Sequence, residues 1–130
     1  RVFLAGSVET IAGDSAFSVR AYRSRNGALL WSEDYNREGA LGDEAGDAVA
    51  ARNKVYVVGR TRSSAGGYAL TVRAYNGRTG TLAWEDNYDR EGDGGDQASA
   101  AALLGRRLFV VGLSESVAGG RGWTVRAYRR

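Results

Sequence analysis

Val19-Arg20-Ala21-Tyr22 returns unchanged as Val72-Arg73-Ala74-Tyr75 and again as Val125-Arg126-Ala127-Tyr128 in this chain of 130 residues. Each recurrence lies 53 residues after the one before it. Self-similarity at a fixed period of this length is the mark of a repeat architecture. The tetrapeptide therefore directs attention to the spacing of the whole chain rather than to a local motif.

The 53-residue spacing covers almost the entire chain without a gap. Residues 2–54 and 55–107 are identical at 21 of 53 aligned positions, and residues 108–130 match the second copy at 12 of 23. We therefore predict one repeat-built segment, residues 1–130, with about two and a half copies of a single structural unit.

Each repeat is predicted to form four short β-strands. The second strand is continuously apolar, which is typical of burial on both faces, while the third alternates apolar and polar residues. Gly27 and Gly80 lie between third and fourth strands, where a tight turn needs positive φ. The Ala-rich first strand could pass for a helix, but Gly46 in its first copy favours a strand. The predicted strands are Ala45–Arg52 and Ala98–Leu104 (first), Val2–Ala5, Val55–Val58 and Leu108–Val111 (second), Phe17–Tyr22 (third), and Leu29–Tyr35 and Leu82–Tyr88 (fourth).

These features favour an all-β fold made of β-propeller blades, each with four antiparallel strands. A β-sandwich would not require a gapless period, and the coils of a β-solenoid are usually shorter. Two and a half blades are too few to close a ring of the usual four to eight, so the segment is predicted to be a partial propeller. Unpaired blade edges at both ends predict either self-association through those edges or an arc that is stable only in context.

The segment Ala74-Tyr75-Asn76-Gly77-Arg78-Thr79-Gly80-Thr81-Leu82-Ala83-Trp84 resembles the repeat of the quinoprotein-like (PQQ-like) β-propellers. That repeat has an Ala, then Thr-Gly, and a Trp four residues after the Gly. The first copy keeps it more loosely, with Trp31 in the place of Trp84. The resemblance implies that each of these Trp residues docks onto the neighbouring blade.

The resemblance does not imply the quinone cofactor. Quinoprotein dehydrogenases hold it with a vicinal disulfide, a calcium-binding Glu/Asn set and a catalytic Asp, whereas this chain has no Cys. Many members with such blades are not enzymes and serve as scaffolds. The resemblance thus implies a scaffold without a cofactor, and it favours an extracytoplasmic location; the residues themselves do not fix the compartment.

The amino-acid composition excludes several kinds of metal site and catalytic site. The chain has no His, Cys or Met, which excludes disulfides, zinc sites built on Cys or His, catalytic thiols and His-based triads. No apolar run is long enough for a membrane span. The formal charge is +3, but the basic residues are spread through the repeat with acids between them. That pattern argues against nucleic-acid binding.

The densest acidic stretch supplies weak calcium candidates, Asp89, Glu91, Asp93 and Asp96. Oxygen ligands on a Gly-rich loop suit Ca²⁺, but the spacing is not that of an EF-hand, and the first copy lacks two of the four carboxylates. The alternative is a solvated loop between blades. In that loop Asp43 and Asp96 would accept hydrogen bonds from nearby backbone N–H groups.

Arg20, Arg73 and Arg126 recur in the middle of the third strand, so each must be paired or reach solvent. Glu33 and Asp86 recur on the fourth strand and are the natural partners. We expect structural ion pairing within or between blades rather than contact with a ligand. The recurring aromatic residues, among which we counted Trp123, are likewise predicted to be packing residues.

The sequence therefore predicts a non-enzymatic β-propeller repeat segment, with no cofactor, that acts as a binding or protein-interaction scaffold. Its partner would be a protein or a small ligand on the loop surface. One alternative is an extracellular propeller surface that binds calcium or carbohydrate. A third is a fragment of a catalytic propeller whose active site lies outside this chain.

Overall fold

The computed structural model describes residues 1–37, 42–90 and 94–130. Within these residues the chain forms ten β-strands, each of seven to nine residues. In chain order they are β1 Val2–Glu9, β2 Ser15–Tyr22, β3 Leu29–Tyr35, β4 Glu44–Ala51, β5 Lys54–Arg62, β6 Tyr68–Asn76, β7 Leu82–Tyr88, β8 Gln97–Leu104, β9 Arg107–Glu115 and β10 Arg121–Arg129.

The strands form three antiparallel sheets in which each strand pairs with the next along the chain. The first sheet contains β1–β3, the second β4–β7 and the third β8–β10. The all-β prediction is confirmed. The strands predicted at Leu29–Tyr35 and Leu82–Tyr88 have those bounds, and the Ala-rich segment that could have been a helix is strand β8.

The sheets pack face to face, with the second sheet in the middle. One apolar core lies between the first and second sheets, and a second core lies between the second and third. Alternation along a strand makes this arrangement possible, because successive side chains of β6 point to opposite faces and so enter different cores. Members of the two cores include Phe17, Val19, Val55, Val57 and Tyr75 for the first, and Tyr56, Val58, Leu70, Val72, Leu108 and Val110 for the second.

Burial on both faces is a property of the middle sheet. All residues from 55 to 59 on β5 are buried, as its apolar run predicts. The same prediction is wrong for β1, where Val2 is 48% exposed and Leu4 is 55% exposed. Within the described residues only one face of the first sheet has a neighbour, so its alternate side chains meet solvent.

The glycine that follows each apolar run lies inside a strand, which continues beyond it, and in the second and third sheets this glycine has a packing role. A Cβ on Gly59 would collide with the carbonyl oxygen of Glu44, and one on Gly112 would collide with that of Gln97. In both places the first strand of the sheet has an irregular register that brings its backbone close. Gly6, at the same repeat position in the three-stranded first sheet, has no atom within 4 Å of such a Cβ.

Candidate interaction surface

A buried arginine joins the first sheet to the second. Arg73 on β6 is 3% exposed, and its Nη2 donates to Oε1 of Glu33 on β3 at 3.1 Å. Its guanidinium carbon lies 3.5 Å from the centroid of the Tyr35 ring, also on β3. Within its own sheet it donates from Nη1 to Glu85 and from Nε to the hydroxyl oxygen of Tyr75 at 2.6 Å. We call Arg73, Tyr75, Glu33 and Tyr35 the first clamp.

The partners keep this guanidinium charged in spite of its burial. Removal from water by itself lowers the pKa of Arg73, but Tyr75, Glu33 and Glu85 together raise it above the ordinary arginine value. Burial raises the pKa of the Tyr75 hydroxyl, so this tyrosine stays neutral at physiological pH. The first clamp is therefore an ion pair lined by two tyrosines, with most of its donors and acceptors engaged.

The same arrangement joins the second sheet to the third, one repeat later. Arg126 on β10 donates from Nη2 to Oδ2 of Asp86 at 3.3 Å and from Nε to the Tyr128 hydroxyl oxygen at 2.8 Å. Its guanidinium carbon lies 4.0 Å from the centroid of the Tyr88 ring, and the Tyr128 hydroxyl donates to Asp86 at 2.7 Å. Burial is the main reason that the pKa of Tyr128 rises to about 12. These four residues form the second clamp.

Arg20 and Tyr22 repeat one half of the clamp on the outer face of the first sheet. The Nε of Arg20 is buried and has no hydrogen-bond partner among the described residues. Its cross-strand neighbour is Ser32, where Arg73 has Glu85. Glu33 cannot serve Arg20, because its register partner is Val19 and it therefore lies on the opposite face of the sheet. The acids predicted as partners thus pair between repeats, each with the arginine of the following sheet.

Trp31 and Trp84, which are one repeat apart, both lie against the next sheet. The indole Nε1 of Trp31 donates to the carbonyl oxygen of Gly77 at 3.3 Å. Its ring covers Gly80, where an added Cβ would come within 2.7 Å of it. Trp84 stacks on Tyr128 with ring centroids 5.4 Å apart. Gly27, the counterpart of Gly80, lies in open space, and the two glycines have φ values of 69° and 77°.

The buried carboxylate of the acidic loop between the second and third sheets accepts hydrogen bonds from the backbone. Asp96 is fully buried, and its oxygens accept hydrogen bonds from the N–H of Arg90 at 2.5 Å and of Glu115 at 2.8 Å. Asp43 does the same one repeat earlier, accepting from the N–H groups of Arg37 and Arg62. Burial raises the pKa of Asp43, and the two backbone hydrogen bonds oppose that rise.

The other calcium candidates are not brought together with Asp96 in the described residues. Glu91 and Asp93 lie outside those residues, and Asp89 directly follows β7. Across residues 1–37, 42–90 and 94–130, no three side chains of the His, Cys, Asp or Glu type are placed to hold one metal ion. The visible chemistry of Asp43 and Asp96 is therefore the anchoring of loops to the ends of β5 and β9.

The clamps and tryptophans recur at the repeat spacing, but comparison with known proteins assigns no function to them. No protein-family model, curated protein or solved structure matches this chain. The described part of the chain also contains no helix that is long and apolar enough to cross a membrane. The geometry of the repeat itself is therefore the basis for any functional assignment.

The outer faces of the first and third sheets carry the apolar surface that sequence reasoning missed. Trp123 is 87% exposed and Val125 is 65% exposed, although Trp123 was predicted to be a packing residue. At the equivalent positions of the second sheet, Leu70 and Val72 are fully buried against the third sheet. The 53-residue alignment could have revealed these positions, but it could not show that their face is open.

Proposed function

We propose that this chain is a segment of a quinoprotein-like β-propeller that acts as a non-enzymatic scaffold for protein binding. One observation carries the proposal: the same inter-sheet clamp forms twice at the repeat spacing, and Arg20 with Tyr22 presents half of it again on an open face. Meandering sheets of three to four strands, stacked through a repeated contact, support a propeller-type assembly.

The outer face of the third sheet is one binding surface of this scaffold. Trp123 and Val125 take the positions at which Leu70 and Val72 are buried by the next sheet. The matching residues of the first sheet, Phe17 and Val19, are buried by the second. The same face of the first sheet is thus covered by the second sheet, and the same face of the second sheet is covered by the third. We assign the occupant of the third sheet's outer face as a further sheet of the same repeat.

The outer face of the first sheet is the complementary surface. Val2 and Leu4 are about half exposed there, whereas Val55 and Val57, one repeat on, are fully buried against the first sheet. In the isolated chain, the available partner for either face is a second copy. The third sheet of one copy would then pack on the first sheet of the next, which is a heterologous, head-to-tail contact.

Such an association is expected to be weak. Burying a large apolar side chain contributes about 1.5–3 kcal/mol, while association loses several kcal/mol of translational and rotational freedom. The described residues of the third sheet also supply no acid-and-tyrosine half of a clamp for Arg20, because they contain no strand beyond β10. The contact between copies would be apolar and dependent on concentration.

Sedimentation velocity across the micromolar concentration range tests the proposal. We expect the weight-average sedimentation coefficient to rise with concentration. Val125→Glu should suppress the rise by placing a charge in the contact. Ile11→Glu is the matched control, since Ile11 is a fully exposed apolar residue on the turn between β1 and β2, away from either face. A chain that stays monomeric throughout, or equal effects of the two variants, would overturn the assignment of this face.

A further inference from the structure

Positive charge is concentrated at one end of the three sheets. The alternating strand directions bring together at this end the turns at residues 23–28, 52–53, 77–81 and 105–106 and both chain termini. No Asp or Glu occurs in these segments or in the strand residues that flank them. We call this the basic end, and its basic residues are Arg1, Arg23, Arg25, Arg52, Lys54, Arg78, Arg106, Arg107, Arg129 and Arg130.

Within the described residues, no Asp or Glu pairs with the charges of the basic end. In the described residues, the ion pairs involve arginines elsewhere, such as Arg60 with Glu44 at 2.9 Å and Arg121 with Glu115 at 3.6 Å at the opposite end. None of the ten basic residues takes part in such a pair within that part of the chain. Like charges held together without counter-charges attract anions.

A cavity of about 550 Å³ opens at the basic end between the second and third sheets. Its walls contain Arg52 from the turn between β4 and β5, Lys54 at the start of β5, Arg106 from the turn between β8 and β9, and Arg130 after β10. Tyr56 lies at its apolar side, and no Asp or Glu lines it. Its polar side-chain groups are therefore almost entirely hydrogen-bond donors.

One of these cations is held in place by hydrogen bonds to the backbone. The Nη1 of Arg130 donates to the carbonyl oxygen of Gly105 at 2.8 Å, and its backbone N–H donates to that of Arg106 at 3.0 Å. Arg52 has φ of 55°, a left-handed conformation that is unusual for a residue with a side chain. The cavity thus has one anchored guanidinium, at Arg130, and three further cations contributed by separate segments of the chain.

The equivalent cavity between the first and second sheets is smaller, at about 220 Å³, and has two cations, Arg1 and Arg52, where the larger cavity has four. Its other lining residues include Phe3, Asn53 and Gly77. At the same repeat positions, the larger cavity has Tyr56, Arg106 and Arg130. Two added guanidinium groups and a hydroxyl are therefore specific to one site. Packing of the repeat does not require them, because the first pair of sheets packs without them.

We propose that this larger cavity binds a short phosphate chain, of two or three phosphoryl groups, either free or as part of a nucleotide. Arginine forks match tetrahedral oxyanions, and a chain of phosphoryl groups would reach more of the four cations than one phosphate does. The cavity volume lies within the ~300–1,000 Å³ that is usual for small-ligand sites. The basic residues are dispersed in the sequence and meet only in the folded chain.

Isothermal titration with inorganic tripolyphosphate tests this site, at matched ionic strength and without divalent cations. We expect tripolyphosphate to bind more tightly than orthophosphate, and Arg106→Gln to weaken it about tenfold, which is the loss of one charge-assisted hydrogen bond. Arg121→Gln is the matched control, since Arg121 is an exposed arginine at the opposite end. It should leave the affinity unchanged.

The outcomes separate the alternatives. Equal binding of ATP and tripolyphosphate assigns the site to the phosphate chain alone, while tighter ATP binding adds a contact with the nucleoside; both support the proposal. Equal losses for Arg106→Gln and Arg121→Gln, or no preference over orthophosphate, would reduce it to non-specific charge attraction and overturn it. Tighter binding of a single-stranded oligonucleotide would replace it with nucleic-acid contact. Failure of sheet docking leaves this test intact, because Arg106 lies in the turn between β8 and β9 and not on an outer face.

Discussion

The two clamps contain the same kinds of residue in the same relative positions, yet they differ in burial. The side chain of Arg73 is 3% exposed, whereas that of Arg126 is 32% exposed. Arg73 contacts two carboxylates, because β7 adds Glu85 to the acid from the preceding sheet. Arg126 lies on β10, the edge strand of its sheet in the described residues, and contacts Asp86 alone. The depth of the ion pair therefore depends on the strands around it and not on the motif itself.

The largest effect should come from the buried clamp. Arg73→Met is expected to lower the free energy of unfolding by about 3 kcal/mol, because it leaves two carboxylates and the Tyr75 hydroxyl without their cation. Urea unfolding followed by tryptophan fluorescence measures this. Arg121→Met, at an exposed arginine, should change stability by less than about 0.5 kcal/mol. Similar losses in both variants would contradict the role of the clamp.

The turns that precede β3 and β7 provide a second contrast. Gly80→Ala should cost about 2 kcal/mol, because φ is positive there and the new methyl group meets the Trp31 ring. Gly27→Ala has the same backbone penalty but open space, so about 1 kcal/mol is expected. Thermal melts of both variants supply the comparison. A loss in Gly27→Ala as large as that in Gly80→Ala would show that contact with Trp31 adds nothing.

Local features of the fold follow from the sequence because they depend on near neighbours. Alternation predicts β2, and the glycine turn before Trp84 predicts the start of β7 at Leu82. The choice of strand over helix for residues 98–104 came from Gly46 in the other copy, which shows how a repeat adds information. Each of these predictions needs only the residues of one hairpin.

Features that depend on the stacking of sheets could not be predicted in the same way. Glu33 was identified as an arginine partner, but its pairing with Arg73 rather than Arg20 is decided by which face meets the next sheet. Trp123 has the spacing of a core residue, and its exposure follows from an open face. The basic end is equally invisible in the sequence, since Arg52, Arg106 and Arg130 are far apart in the chain and meet through strand direction.

The smallest effects should distinguish the exposed clamp from the half-clamp. Arg126→Met is expected to cost about 1 kcal/mol, as for a partly exposed ion pair. Arg20→Met should change stability by less than about 0.5 kcal/mol, because among the described residues Arg20 makes no ion pair and its buried Nε has no hydrogen-bond partner to lose. Urea unfolding at low protein concentration measures both, so that association of copies does not contribute. A cost for Arg20→Met as large as that for Arg126→Met would show that Arg20 already has a partner within the chain. The outer face of the first sheet would then not present an open half-clamp.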